Sequence, residues 1–453
     1  MHFLTDLKAE LRPMVRLAWP LVLAEMGWVF MGIVDTMMVG RVSAAAIGAV
    51  SLGSMLFYTV AIFGTGLMLG LDTLVSRSFG AGDINDCHRS LLNGVYLGLA
   101  ATPALMGIVW LEGPLLRRLG IHPAVLREAI PFLQALNWST IPLLLYSAFR
   151  RYLQAMNLVK PVLFALISAN VVNAVGDWAL IYGHWGARAM GAEGSAWATV
   201  AARAYMAAVL LGYIFYHDRR CQTGLQTTPL APDGARMRRL FGLGLPAAMQ
   251  IALEIGVFAV VTALIGRLNP ASLAAHQIAM NVVTFTYMVP LGISAAAAVR
   301  VGQALGRRDP RAAGHSGWTA IALGAGFMTL AGIALVAGPR LIVRVFTPDP
   351  AVMKLGVTLL AVGAMFQLFD GVQTVSTGAL RGAGDTRTPM VTHLIAYWGV
   401  GLPVGAFLCF RLGWGVAGLW AGLCLALILI GIVLGTAWRR KVREMAEEAQ
   451  AAG

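Results

Sequence analysis

Residues 240–266, LFGLGLPAAMQIALEIGVFAVVTALIG, form one apolar run with a single ionisable side chain, Glu254, near its centre. Arg238 and Arg239 precede the run and Arg267 follows it. Wound as a helix at about 1.5 Å per residue, it is about 40 Å long, enough to cross a bilayer core of about 30 Å with some tilt. A carboxylate at that depth costs about 2.5–3.5 kcal/mol on insertion scales, so it is expected to face an internal cavity and to have a task there. Gln250, one turn earlier, shares its face. The competing reading is a buried Glu that hydrogen-bonds another helix for packing alone.

Such runs recur from end to end. The 453 residues are 58% hydrophobic and 12% charged, with mean hydropathy +0.73. A soluble chain of this length needs more charge to cover its surface. The runs are continuous rather than alternating, which excludes a β-barrel and leaves an all-α membrane protein embedded in a lipid bilayer. Twelve spans are expected, at roughly 14–40, 46–76, 90–112, 124–149, 161–183, 193–216, 240–266, 272–300, 312–337, 351–380, 389–411 and 414–437. The first run continues past signal-peptide length and is read as a retained span. In a soluble domain the net charge of +13 would raise nucleic-acid binding. Here the positive-inside rule accounts for it, no nucleic-acid partner is expected, and the loop arginines favour cytoplasmic termini. Four scattered cysteines have neither metal-ligand spacing nor a disulfide framework.

An internal repeat divides the chain. At an offset of 226, Pro20 matches Pro246, Gly40-Arg41 matches Gly266-Arg267, Gly80 matches Gly306 and Asp83 matches Asp309. The extended polar segment 217–239, HDRRCQTGLQTTPLAPDGARMRR, lies between the copies and reads as a linker. The expected organisation is an N-lobe at 1–216, a cytoplasmic linker at 217–239, and a C-lobe at 240–453 with a basic tail. Six spans is an even number, so both lobes enter the membrane from the same side and are related by a pseudo-twofold axis along its normal. Substrate sites in such proteins lie at the repeat interface. Pro20 and Pro246 each remove a helix hydrogen bond and are either hinges or inert kinks.

Few acids lie inside the runs: Glu25, Asp35, Asp72, Asp177, Glu254 and Asp370. Asn173 is one turn before Asp177, on the same face. Carboxylates beside amide and hydroxyl oxygens suit Na⁺, a hard cation, or a proton, and occupancy can bias a two-state structure. Asp72, Asp83 and Asp385 read as helix-end or loop residues beside arginines, and His276 as a hydrogen-bonded packing residue. There is no HExxH helix, GxSxG elbow or P-loop, so neither an enzyme nor a self-contained ATP-driven pump is expected. The GxGD string at Gly382–Asp385 falls in a basic loop, which argues against an intramembrane protease. The energy source must be an ion gradient, and no cofactor is expected beyond the coupling ion, Na⁺ or H⁺.

The segments FMGIVDTMMVGRVSAAAIGAV, TLVSRSFGAGD, LEIGVFAVVTALIG, AAHQIAMNVVTFTYMVPLGISAAAAVRVGQALG and LRGAGDTRTPM are together similar to the multidrug and toxic compound extrusion (MATE) family, in its NorM-like branch. The resemblance covers nearly the whole chain. It implies twelve helices in two six-helix lobes, V-shaped around a central cleft, exporting organic cations against Na⁺ or H⁺ by alternating access. By motif, Asp35 resembles the acid of the N-lobe cavity, and Asn173, Asp177 and Thr199 its polar partners. Glu254 and Asp370 resemble the cation-binding pair of the C-lobe, and Pro20 the first-helix proline about which bending is proposed. Two positions depart from the pattern. Phe366 stands where some relatives have Tyr, and Glu25 where Gln or an apolar residue is expected.

The function expected is secondary antiport of small organic cations by a monomer in a bacterial inner membrane. Cation coupling falls to Glu254, Asp370, Asp35, Asp177, Asn173 and Thr199. Na⁺ would bind at Glu254 and Asp370 or at Asp35, Asn173 and Asp177. Met26, Met31, Gln250, Phe366 and Phe369 would line a promiscuous cleft. The alternative is a lipid-linked-precursor flippase of the same superfamily, in which basic residues would be expected to hold a pyrophosphate.

Overall fold

The computed structural model describes residues 2–118 and 123–451. Sixteen α-helices follow one another, with no strand among the described residues. They are α1 (His2–Val39), α2 (Ala44–Leu67), α3 (Gly70–Gly80), α4 (Ile84–Arg118), α5 (Pro123–Asn137), α6 (Thr140–Ala155), α7 (Val159–Tyr182) and α8 (Ala192–Cys221). Then come α9 (Gly234–Ile265), α10 (Pro270–Gly306), α11 (Pro310–Ala337), α12 (Pro339–Phe346), α13 (Pro350–Gly382), α14 (Arg387–His393), α15 (Leu402–Phe410) and α16 (Val416–Ala451).

Local sequence explains several boundaries. The dipeptides Asn269-Pro270, Asp309-Pro310 and Asp349-Pro350 open α10, α11 and α13. In each, the side chain accepts a backbone N–H of the first turn while proline occupies the first helical position, where its missing donor costs nothing. Helix α7 ends at Gly183, in the left-handed conformation (φ 79°) that a side chain would resist.

Eleven helical stretches of the described residues are long and apolar enough to cross a membrane. The expected span 124–149 is the exception, because it is broken into α5 and α6 at Trp138 and Ser139. Pro142 has no N–H for the carbonyl of Trp138. Ser139 instead donates its hydroxyl to Leu136 O, and Asn137 Nδ2 reaches Met106 O at 3.0 Å. The expected span 46–76 is divided between α2 and α3, and α12 is an added short helix. Between α14 and α15, Leu394–Gly401 is wound as a π-helix. Pro403 follows it and cannot donate to Gly399 O.

The chain divides into two compact units, Leu23–Ala248 and Met1–Val22 with Met249–Gly453. These limits differ from the linker position read in the sequence. They fall inside α1 and α9, two residues after Pro20 and Pro246. In the first unit the start of α9 packs tightly on α2 and α3. A Cβ on Gly66 would stand 2.5 Å from the Ala248 backbone. In the second unit the start of α1 packs in the same way on α10, where a Cβ on Gly292 would stand 2.6 Å from Val22 N. Both contacts obey the 226-residue offset. The opening segment of each repeat therefore belongs to the other repeat's unit. Within the second unit, α13 is the central helix, packed on α10, α11 and α16.

The 217–239 segment is pinned rather than loose. Asp218 Oδ1 accepts from Thr223 Oγ1 (2.6 Å) and Leu225 N (2.8 Å). Asn93 on α4 accepts from Asp233 N at 2.8 Å, and Arg236 reaches Asp86 and Ser90 on the same helix. Asp233 caps α9, and the Arg236 N–H it accepts holds its carboxyl below the usual carboxylate range.

Gly66→Val and Gly292→Val are each expected to destabilise the detergent-solubilised protein by about 1–3 kcal/mol through overpacking against backbone. Gly326→Ala, where a Cβ meets nothing within 4 Å, should be neutral or mildly stabilising. Thermal unfolding of the three variants measures this.

Candidate functional site

The acids within the helices sort by the charge of their partners. Glu25 on α1 is paired with Arg150 on α6, both largely withdrawn from solvent. Asp72 on α3 is paired with Arg151 at 3.5 Å. Each acid thus meets a resident cation, which answers the question raised by the unexpected Glu25. Asp385 differs from the expectation of an arginine partner, since just ahead of α14 it accepts from Thr388 N (3.0 Å) and Oγ1 (2.6 Å). Asp83 likewise accepts from Asp86 N.

Glu254 and Asp370 are held by amides. Gln373, one turn beyond Asp370 on α13, donates through Nε2 to Asp370 Oδ1 at 3.0 Å and to Glu254 Oε1 at 3.4 Å. Gln250 donates to Glu254 Oε2 at 3.1 Å. His393, at the end of α14 and wholly buried, completes the cluster. Its Nε2 lies 3.1 Å from Gln373 Oε1, 3.3 Å from Gln250 Nε2 and 3.8 Å from Glu254 Oε2. Its Nδ1 faces Pro389 O at 2.7 Å and so carries a hydrogen. In the neutral ring Nε2 is then an acceptor for Gln250. With a second proton, it becomes a donor toward Gln373 and Glu254.

Around Asp35 on α1, Thr199 Oγ1 lies 3.4 Å from Oδ2, and Asp177 and Asn173 of α7 lie beside the carboxylate. Asp35 Oδ1, both oxygens of Asp177 and both amide atoms of Asn173 are buried with no direct hydrogen-bond partner. Two adjacent buried carboxyl groups in this setting suit a shared proton or a cation. Asp35, Thr199, Met31, Trp28, Tyr58 and Arg203 line a cavity of about 340 Å³ here.

Other expected positions are distributed as follows. Phe366 is buried against Trp420 of α16, with ring centroids 6.0 Å apart, and Phe369 packs on Gly431 of the same helix. Met26 is half-buried on α1. His276 is a satisfied packing residue. Its Nδ1 accepts from Trp420 Nε1 (3.0 Å), and its Nε2 lies 2.8 Å from Thr262 Oγ1, which itself donates to Phe258 O. The sequence reading did not find Gln373, His393 or the role of Arg203. Gln373 stands one turn from Asp370, which was the available signal. Arg203 was visible as a lone cation inside an apolar run.

The family model MatE matches twice, over residues 20–179 and 246–407, and the second match begins 226 residues after the first. The chain belongs to the MatE family. It is 34% identical over 446 residues to the probable multidrug resistance protein NorM of Brucella suis biovar 1, covering 96% of this chain and 94% of that protein. It is 35% identical over 437 residues to the protein of the same name in Xanthomonas axonopodis pv. citri, covering 96% and 95%. Among solved structures it superposes on a eukaryotic MATE transporter with TM-score 0.86 and 20% identity, over 98% of this chain and all of that one. It also superposes on a MATE protein in a bent conformation, with TM-score 0.85 and 16% identity, over 99% of each. The MatE fold thus supplies both acid clusters from repeat-related frameworks.

Glu25→Gln should destabilise this MatE protein by about 3–5 kcal/mol, because it strands a buried Arg150. Adding Arg150→Gln should recover part of the loss. Thermal unfolding of the single and double variants in detergent gives the coupling directly.

Proposed function

We propose that this chain is a multidrug exporter of a bacterial inner membrane, with both termini cytoplasmic, that exchanges amphipathic organic cations for Na⁺ or H⁺. The observation that carries the reading is the contrast between partners. Glu25 and Asp72 are neutralised by arginines, whereas among the described residues no arginine or lysine pairs with Glu254 or Asp370, which are held by the amides of Gln250 and Gln373 beside the His393 imidazole and the Tyr397 ring. Amide donors orient a carboxylate without cancelling its charge, so the pair is built to take up a cation. The relatives' names as multidrug resistance proteins support the drug-export half of the reading.

Coupling is assigned to Glu254 and Asp370. Gain or loss of the ion alters the charge that Gln373, Gln250 and His393 must satisfy. That change biases the helices carrying them, and Pro246 lies within α9 only two turns before Glu254. Pro20 has the matching place in α1, and both act as hinges on this reading. The Asp35 cavity, with Asn173, Asp177 and Thr199, receives the cationic drug. Met31 contributes adaptable apolar surface to that cavity, whereas Phe366 and Phe369 pack on α16. The protein works as a monomer without a further cofactor. The acidic character of both clusters disfavours a pyrophosphate-lipid flippase.

In proteoliposomes with Na⁺ and pH gradients imposed separately, one gradient should drive dye efflux. Glu254→Gln and Asp370→Asn should each abolish the driven component while the protein still inserts. Asp35→Asn should lower transport at least about tenfold, the size of a lost charge-assisted contact. Normal driven efflux in Glu254→Gln and Asp370→Asn removes that pair from coupling.

A further inference from the structure

Arg203 lies in the middle of α8 and is 1% exposed. A guanidinium so deeply buried is normally neutralised by a carboxylate, because burying an unpaired charge is costly. Among the described residues, no acid forms an ion pair with it. Its Nη1 donates to Ser139 Oγ and its Nη2 to Tyr58 Oη at 2.7 Å, while Nε is buried without a partner. Its plane lies over the rings of Trp28, Phe57 and Tyr58, with centroids 5.7, 5.0 and 5.5 Å away. Those rings offset part of the desolvation but leave the positive charge in place.

The consequence passes through Tyr58. Its oxygen already accepts from Arg203, so its own hydroxyl hydrogen must be donated elsewhere, and the ring is 40% exposed. Ser51, Ser54 and Tyr58 sit at i, i+3 and i+7 on α2, and all three line the cavity that also holds Asp35. One wall therefore presents hydroxyls in the field of a buried cation, and another presents a carboxylate.

We propose that this cavity binds zwitterions: the carboxylate of a small amphiphile accepts from the Tyr58 hydroxyl and its neighbouring serines beside Arg203, while its cationic group rests against Asp35. The inference rests on the exporter reading for the cavity's purpose, and it narrows the substrate class. Arg203 is then a specificity-determining residue. It favours cations that carry their own anion over simple monocations.

The test compares a zwitterionic rhodamine bearing a free benzoate with the ethyl ester of the same dye, which keeps the cation and loses the anion. Fluorescence polarisation with the purified full-length protein should show the acid binding at least about tenfold more tightly than the ester, as loss of a charge-assisted contact implies. Arg203→Gln should bring the ratio near one. Tyr58→Phe, which keeps the guanidinium and its stacked rings, should reduce it several-fold, and it carries the test should Arg203→Gln not fold. Equal binding of acid and ester by the wild type overturns the proposal without recourse to any variant. A preference that survives in Arg203→Gln or Tyr58→Phe overturns it too. Cells that expel neither dye while the purified protein prefers the acid sink the exporter reading and leave the site standing. Cells that expel the ester, with no preference in binding, do the reverse.

Discussion

A charge buried in a helix that crosses hydrocarbon must be compensated by something other than water, and the arrangement of this protein follows from how each charge meets that demand. Arg150 and Arg151, consecutive on α6, serve Glu25 and Asp72 from two different helices. Such pairs are self-contained and hold helices in place, since removing either partner strands the other. Where the partner is a glutamine, a threonine or a ring nitrogen, the geometry is fixed and the charge remains. On the proposed function, the distinction separates acids that stabilise from acids that bind the coupling cation.

The second organising constraint is the close approach of helices at the start of each repeat. Without a hydrophobic drive between helices in lipid, association depends on small residues that let backbones meet. Gly66 against Ala248 and Gly292 against Val22 are two instances of one contact, separated by the repeat offset. Each lies within four residues of the helix proline that follows the same offset, Pro246 or Pro20. The tight contact falls two residues after each proline, and the remainder of the helix beyond it, bearing Glu254 or Asp35, belongs to the other unit. A proline there leaves a carbonyl unbonded, so this is where each helix bends at least cost.

Much of this was legible in the sequence because membrane burial makes isolated polar residues conspicuous. Glu254 and Asp370 stood out by depth alone, and the repeat by the order of its matches. What escaped reading depended on side chains reaching across the fold. Glu25 finds its base 125 residues away, and no local pattern announces it. Gln373 and His393 are ordinary residues until α13 and α14 bring them to Glu254. The break between α5 and α6 was readable in principle, since Asn137, Ser139 and Pro142 stand in one short stretch. The apolar residues around them masked it. The same break places Ser139 where Arg203 can reach it, so the missed kink and the missed role of that arginine have one cause.

The two acid clusters are not copies of each other, and the difference is one of net charge. With its histidine neutral, the Glu254–Asp370 cluster holds two carboxyl groups and, among the described residues, no paired arginine or lysine, so on the proposed function the ion is what neutralises it. The Asp35–Asp177 cluster has Arg203 close enough for its field to act on Asp35, so groups of both signs face the same cavity. An ion that must drive a conformational change is best bound where its arrival alters local charge most. A bulky substrate that must be released again is better held where the charge is nearly balanced and contacts with Trp28, Met31 and Tyr58 share the work. On the proposed function, that difference suits the Glu254 cluster to the coupling ion and the Asp35 cluster to the substrate, on frameworks related by the 226-residue offset.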